Sequence, residues 1–315
     1  MRARVFSLSR NSSSLFLRSL SHQQRAAMSV QFENILNFRD VGKTVNDYLG
    51  KKVLREGVLY RSARPDDATP SDRKRLTEEL GIKTVMDLRT KTEHLSQAKK
   101  RQADLKMPAL VQSNAALAEP MQIPGLLYRE VQVTGRRLER ALLHRLSWWS
   151  FIKLIFLFLF GFRVQAIRIM GQEVMQPLGL VGLSIVTLDA AGPEIVEALQ
   201  ILSSAQTRTT LVHCTQGKDR TGMIIALALL ALHIPEEAIS HDYELSQSGL
   251  KPERDARLAE MLQIGLTPGW GDCPPDFIGR VKTHLDGQYG GVEGYLDSIG
   301  FGAEDRARLV DGLGA

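Results

Sequence analysis

One run in this chain combines residue types that can do covalent chemistry at a spacing that lets them act together. It is Thr210-Leu211-Val212-His213-Cys214-Thr215-Gln216-Gly217-Lys218-Asp219-Arg220-Thr221-Gly222. An apolar, β-branched stretch ends at a cysteine, a loop of six residues follows, and a long apolar segment begins at or just after Arg220. A phosphate dianion needs several donors converging on its oxygens. Successive backbone N–H groups of a curled loop, closed by a helix N-terminus, supply them. Thr215, Gln216, Gly217, Lys218, Asp219 and Arg220 form that loop. Gly217 permits torsions that a Cβ forbids, and the Arg220 guanidinium can grip two phosphate oxygens at once, which a lysine cannot copy. A site built for an anion also favours the thiolate of Cys214 over the thiol, which makes it a nucleophile at neutral pH. His213 is placed to fix the loop by hydrogen bonding, and Thr221 to donate its hydroxyl toward the sulfur.

Cleaving a phosphate ester also requires an acid for the departing oxygen. Two aspartates are candidates. Asp219 lies inside the loop; Asp189, in Thr187-Leu188-Asp189-Ala190-Ala191-Gly192, lies 25 residues before the cysteine. The surroundings of Cys214 are neither carboxylate-rich nor histidine-rich, so no metal and no cofactor is expected.

The flanking sequence supplies elements able to hold this loop. Residues 53–60 and 84–88 read as strands, 71–80 as a helix between them opened by Ser71 and stopped by Gly81, and 209–213 as a further strand. Residues 97–134 read as helix and loop with a strand near 128–133. Helices are expected over 193–203, 221–233, 252–262, 275–285 and 303–313. Strand, helix and strand in succession give an α/β fold with a mainly parallel central sheet flanked by helices. Asp87 with Arg89, and Arg39, Asp40 and Arg61, read as structural charge pairs and tethers. Cys214 and Cys273 are the two cysteines, too few for a disulfide framework or a zinc quartet.

Residues 1–28 carry five arginines and no acidic residue, and the rest of the 315-residue chain balances 35 basic against 35 acidic residues. The body is formally neutral and has no protein-wide basic field for a nucleic-acid backbone. The leader has the composition of a mitochondrial transit peptide or of a disordered tail, with Met28 as a second start, which leaves cytoplasm and mitochondrion as expected locations. Residues 29–315 read as one domain.

That domain carries a basic, apolar insertion over about 135–170. Residues 148–162 run WWSFIKLIFLFLFGF with Lys153 as their only charge, flanked by Arg136, Arg137, Arg140, Arg145, Arg163 and Arg168 against a single Glu139. Fifteen residues fall short of the ~20 that span a bilayer. Three readings fit: a core helix apolar all round, a lid over the site, and a helix lying in a membrane surface.

The run HCTQGKDRTG resembles the signature of the protein tyrosine phosphatase superfamily, a cysteine, five residues and an arginine. Asn37 to Gly42, Leu59-Tyr60-Arg61-Ser62, Met86-Asp87-Leu88-Arg89 and Asp242-Tyr243-Glu244-Leu245-Ser246 are similar to motifs of its atypical tyrosine and lipid phosphatases. The resemblance spreads over residues 37–300. It implies metal-free hydrolysis of phosphotyrosine through a phosphocysteine intermediate, and Lys218-Asp219-Arg220 matches relatives thought to use the loop aspartate as acid. No Trp-Pro-Asp sequence occurs to support Asp189. A phosphoinositide phosphatase of the same mechanism, with Lys218 adding charge for a multiply phosphorylated head group, and a phosphate-binding module without turnover are the alternatives.

Overall fold

Short apolar strands that are buried on both faces need partners on both edges, and the central strand here is the one that ends at the cysteine. The computed structural model describes residues 32–104, 121–207 and 209–315. Its sheet has five strands: β1 (Arg39–Asp40), β2 (Leu59–Ser62), β3 (Thr84–Asp87), β4 (Leu127–Glu130) and β5 (Thr210–His213), in the order β1-β2-β5-β3-β4. β5 is parallel to both β2 and β3, β4 is parallel to β3, and only β1 runs antiparallel at its edge. Every residue of β2, β3 and β5 is buried, the expected state of a parallel sheet covered on both faces. The register pairs Ser62 and Asp87 with His213. Three strands therefore end level, and their loops leave from one edge, where open α/β sheets place their sites.

The covering helices follow the chain. They are α1 (Val41–Leu49), α2 (Pro70–Lys74), α3 (Lys91–Asp104), α4 (Arg136–Leu143), α5 (Trp148–Leu159), α6 (Arg163–Met170), α7 (Gln176–Ala190) and α8 (Gly192–Ser203), then α9 (Asp219–Ala231), α10 (Glu236–Gly249), α11 (Arg254–Gln263), α12 (Phe277–Tyr289), α13 (Val292–Ile299) and α14 (Ala303–Leu313). α9 is apolar all round because it is surrounded: every residue from Thr221 to Ala231 is buried. It joins Val212, Leu188, Ile195, Phe277 and Tyr295 in the main core. Residues Glu33–Ala315 form one compact unit; the leader 1–28 lies outside the described residues.

Two sequence expectations shift. The strand expected over 53–60 begins only at Leu59, because Gly57 takes a left-handed φ of 74° and Leu54 makes only an isolated bridge to Gly314. The helix expected over 71–80 starts as α2 behind a capping box of Thr69 and Asp72, then widens into a π-turn over Arg75–Glu79. The strand expected near 128–133 is found at Leu127–Glu130, and of the region 97–134 residues 105–120 lie outside the described part.

Candidate active site

The loop 214–220 links the end of β5 to the start of α9, and its curl is imposed from outside. The Thr215 carbonyl accepts from the Arg64 N–H. Asn37 Nδ2 donates to the carbonyls of Gln216 (3.0 Å) and Gly217 (3.1 Å), and Arg61 Nη2 donates to those of Gly217 (2.7 Å) and Lys218 (3.1 Å). Four successive carbonyls are thus held on the outer side of the turn. With the oxygens drawn outward, the intervening N–H groups are freed for the concave side, and the Gly217 N–H donates to Cys214 Sγ at 3.2 Å. Gly217 has φ 63°, and a Cβ there would sit 1.8 Å from the Ser62 carbonyl oxygen. Only glycine fits.

The tethers are themselves anchored in the core. Arg61, fully buried, pairs with Asp242 on α10; Arg39 pairs with the other oxygen of the same carboxylate at 2.8 Å and also reaches the Asp242 carbonyl, Ser246 and Asn37 Oδ1. Asn37 adopts a left-handed φ of 57° to turn its amide toward the loop. Burial alone would raise the Asp242 carboxyl, but the two guanidiniums hold it below its ordinary value.

Cys214 is 3% exposed and Arg220 follows in the first turn of α9. The Arg220 fork is engaged by a residue on α3: Nη1 donates to Glu93 Oε2 at 2.7 Å and Nη2 to Oε1 at 2.6 Å, while Nη1 also reaches the Leu88 carbonyl at 3.1 Å. Thr215 Oγ1 donates to the same carboxylate. Burial works against the Arg220 charge, but the Cys214 sulfur and Glu93 outweigh it and keep its pKa above the ordinary arginine value. Burial likewise opposes ionisation of Glu93, and Arg220 overcomes it, holding that carboxyl far below the usual range. Glu93 is the central residue that the sequence reading missed. Its local signal is visible, since Thr90 and Glu93 exchange backbone and side-chain bonds as a capping box opening α3. That the same carboxylate crosses to Arg220 is not.

The remaining sequence candidates divide. Asp219, the first residue of α9 and partly exposed, accepts from Tyr243 Oη at 3.1 Å, and Lys218 Nζ lies 3.9 Å from its other oxygen. His213 is fully buried and its Nδ1 meets the Cys214 carbonyl at 3.1 Å, with Nε2 3.6 Å from Asp87. Burial pushes its pKa down against the pull of Asp87. Asp87 instead bonds Arg89, which also grips Asp66. Thr221 Oγ1 is buried and makes no hydrogen bond among the described residues, so the donation to sulfur expected of it is not made here. Asp189 sits at the end of α7, where its Oδ1 accepts from His284 (2.7 Å) and Tyr289 (2.8 Å) of α12; it makes no bond to the loop.

Lys218 departs from its expected role. Its side chain is 1% exposed and donates to the carbonyls of Asp272 (2.8 Å) and Trp270 (3.3 Å), away from the cavity. A buried ammonium seeks carbonyls when no carboxylate is close enough, and that need turns it from the solvent side. The cavity beside the loop, about 180 Å³, is lined by Thr215, Gln216 and Glu93 together with Arg64, Lys100 and Arg257. Those cations are answered by Glu253 and Glu260. Both cysteines are free, and burial pushes the Cys273 thiol up to about 11. Among the described residues no cluster of three or more His, Cys, Asp or Glu side chains is arranged to hold a metal ion.

Residues 30–148 and 171–314 match the model of the tyrosine phosphatase family. A tyrosine-protein phosphatase of Nostoc commune is 33% identical over 170 residues, which cover 49% of this chain and 58% of that relative. The triple specificity protein phosphatase PtpB of Mycobacterium tuberculosis is 26% identical over 289 residues, covering 84% of this chain and 91% of the relative. A putative tyrosine-protein phosphatase of Cupriavidus necator is 25% identical over 302 residues, 87% of each.

Proposed function

The chain belongs to the tyrosine phosphatase family, and from that premise we propose that it hydrolyses phosphotyrosine in proteins through a phosphocysteine intermediate. The observation that carries the reading is the loop itself. Four carbonyls are tied outward, the Gly217 N–H points at Cys214 Sγ, and Arg220 rises from the first turn of α9 beside them.

The Cys214 thiolate attacks phosphorus, forming an S–P bond as the P–O bond to the tyrosine breaks. Loop N–H groups and Arg220 hold the phosphoryl oxygens as charge moves onto them. Asp219 gives its proton to the departing oxygen. It then takes one from the water that attacks phosphocysteine, so that inorganic phosphate leaves and the thiolate is restored. Tyr243 Oη holds the Asp219 carboxyl in place. Its own pKa is raised far above the ordinary value, by burial first and then by Asp219, so it acts as a hydrogen-bond donor rather than an acid. Glu93 holds the Arg220 fork in the resting enzyme and yields part of it when phosphate arrives.

Phosphoinositide hydrolysis is the second reading. It is favoured by Arg64, Lys100 and Arg257 on the cavity wall, which can meet a second phosphate of a head group once it displaces their glutamate partners.

Phosphate release from phosphotyrosine peptides and from phosphoinositide vesicles, with Cys214→Ser as control, tests both. Faster peptide turnover that is lost in Cys214→Ser supports the first reading, and faster lipid turnover moves the assignment to the second. Full activity in Cys214→Ser would overturn the phosphocysteine route. Phosphopeptide binding without release would make the chain a recognition module.

A further inference from the structure

The stretch 149–170 lies between the two segments that match the family model and is not part of the match. It forms α5 and α6, which pack on each other as a hairpin turned at Gly161, where φ is 82°. α5 is strongly apolar yet buries only Leu154, which removes the core-helix reading. Trp149 is 78% exposed, Leu159 76%, and Trp148 and Phe160 70% each. Apolar surface of this extent on one face marks an interaction site rather than scattered exposure.

We infer that the α5–α6 hairpin docks the protein on an anionic lipid bilayer, lying in the interface rather than crossing it. Length excludes crossing by α5: twelve residues rise about 18 Å, against a hydrocarbon core of about 30 Å. The continuous helical stretch 163–190 is long and apolar enough to cross by length and composition. Its second half, however, is committed to the protein, with Val181 and Leu188 in the main core.

Charge selects the occupant. Residues 135–170 carry seven basic residues and one acidic residue, Glu139. Arg145, Lys153, Arg163 and Arg168 are exposed and have no carboxylate partner among the described residues. Pairing two copies through this face would bring like charges together without compensation. Anionic headgroups supply the missing partners. The two tryptophans at the start of α5 suit the headgroup boundary, and the arginine stems can lie along the apolar face while their heads reach phosphate. The root of the hairpin is fixed to the catalytic body. A Cβ on Gly171 would stand 2.2 Å from the Ile264 carbonyl oxygen. Next to it Leu266 and Trp270 pack against Met261 of α11, the helix that supplies Arg257 to the cavity.

This inference is independent of which phosphate ester is hydrolysed. The full chain is sedimented with phosphatidylcholine vesicles containing 30% phosphatidylserine and with phosphatidylcholine alone. Binding to the anionic vesicles is expected, with a partition coefficient at least tenfold higher than for neutral ones and a fall on raising salt. A blue shift of tryptophan emission should accompany it, since Trp270 is already buried and only Trp148 and Trp149 can change. Trp149→Glu/Phe160→Glu and, separately, Arg145→Glu/Lys153→Glu should each lower partition at least tenfold. Both should leave turnover of a soluble phosphotyrosine substrate and the melting temperature unchanged. Binding equal in both variants and wild type would overturn the inference and pass the contact to another part of the chain. Absence of binding to anionic vesicles, with or without a dimer that the first variant dissolves, would overturn it too.

Discussion

Arg220 is held by the Glu93 carboxylate through both arms of its guanidinium. Their bidentate pair fixes the fork, and Thr215 closes the third side. Gly217 is the residue with least freedom to change. Gly217→Ala is expected to cost about 3 kcal/mol or more, from its left-handed φ and the approach to Ser62. It should also cut phosphate release about 100-fold, because the N–H that faces the sulfur moves. Urea unfolding together with single-turnover phosphate release measures both. The two candidate acids separate at the same scale. Asp219→Asn should slow turnover by a factor on the order of 100 or more. Asp189→Asn, which keeps an amide oxygen for His284 and Tyr289 and removes only the charge, should stay near wild type. The reverse ranking, measured on one phosphotyrosine peptide, would transfer the acid role to Asp189.

Between elements, the loop depends on contacts made by β1, β2 and α10. Asp242 of α10 answers Arg61 and Arg39 together, and these reach the loop carbonyls directly or through Asn37. Asp242→Ala leaves two buried guanidiniums without a counter-charge, a loss of about 3–5 kcal/mol. The expected result is a lower melting temperature and a drop in phosphate release beyond what the remaining folded fraction explains. Asp242→Asn keeps the shape and should fall between. Activity that simply tracks the folded fraction would reduce Asp242 to a stability role. The run Asp242-Tyr243-Glu244-Leu245-Ser246 is legible as a local string that resembles a motif of the family. Its physical task is not, because the partners lie about 200 positions away in the chain. Glu93 is hidden for the same reason: a capping box explains it locally and removes any motive to look further.

Across the whole molecule, the network beneath the loop sets the response to acid. Burial would raise the Asp87 carboxyl, but His213 and the Arg89 fork hold it at about 2, against an ordinary 3.8. A carboxylate depressed in this way stabilises the fold fully above its unfolded value and loses that contribution as pH falls through about 2, for a total of about 2 kcal/mol. His213 acts in the same direction. Its pKa is lowered by burial, so below about 6.5 the unfolded chain takes up a proton that the folded one refuses. Stability should therefore decline from pH 6.5 downward and faster below pH 4. In urea titrations at pH 7, 5 and 3, the gap between wild type and Asp87→Asn should be constant at the first two values and narrow at the third. A gap unchanged at pH 3 would remove Asp87 from the acid limb.

The sequence by itself determined the strand–loop–helix around Cys214, the α/β class and the separateness of 148–162. Each of these is local: β-branched runs, a glycine, a helix start and an uninterrupted apolar stretch act within a dozen residues. Only the tertiary structure decided which side chains face the site. Lys218, adjacent in sequence to the proposed acid, turns to the carbonyls of Trp270 and Asp272, while Glu93, more than a hundred residues away, grips Arg220. It also decided that α5 stands in solvent while the less apolar α9 fills the core. Apolar composition creates a demand for burial in both helices, and what meets that demand is set by the neighbours the sheet has already assembled around one and not the other.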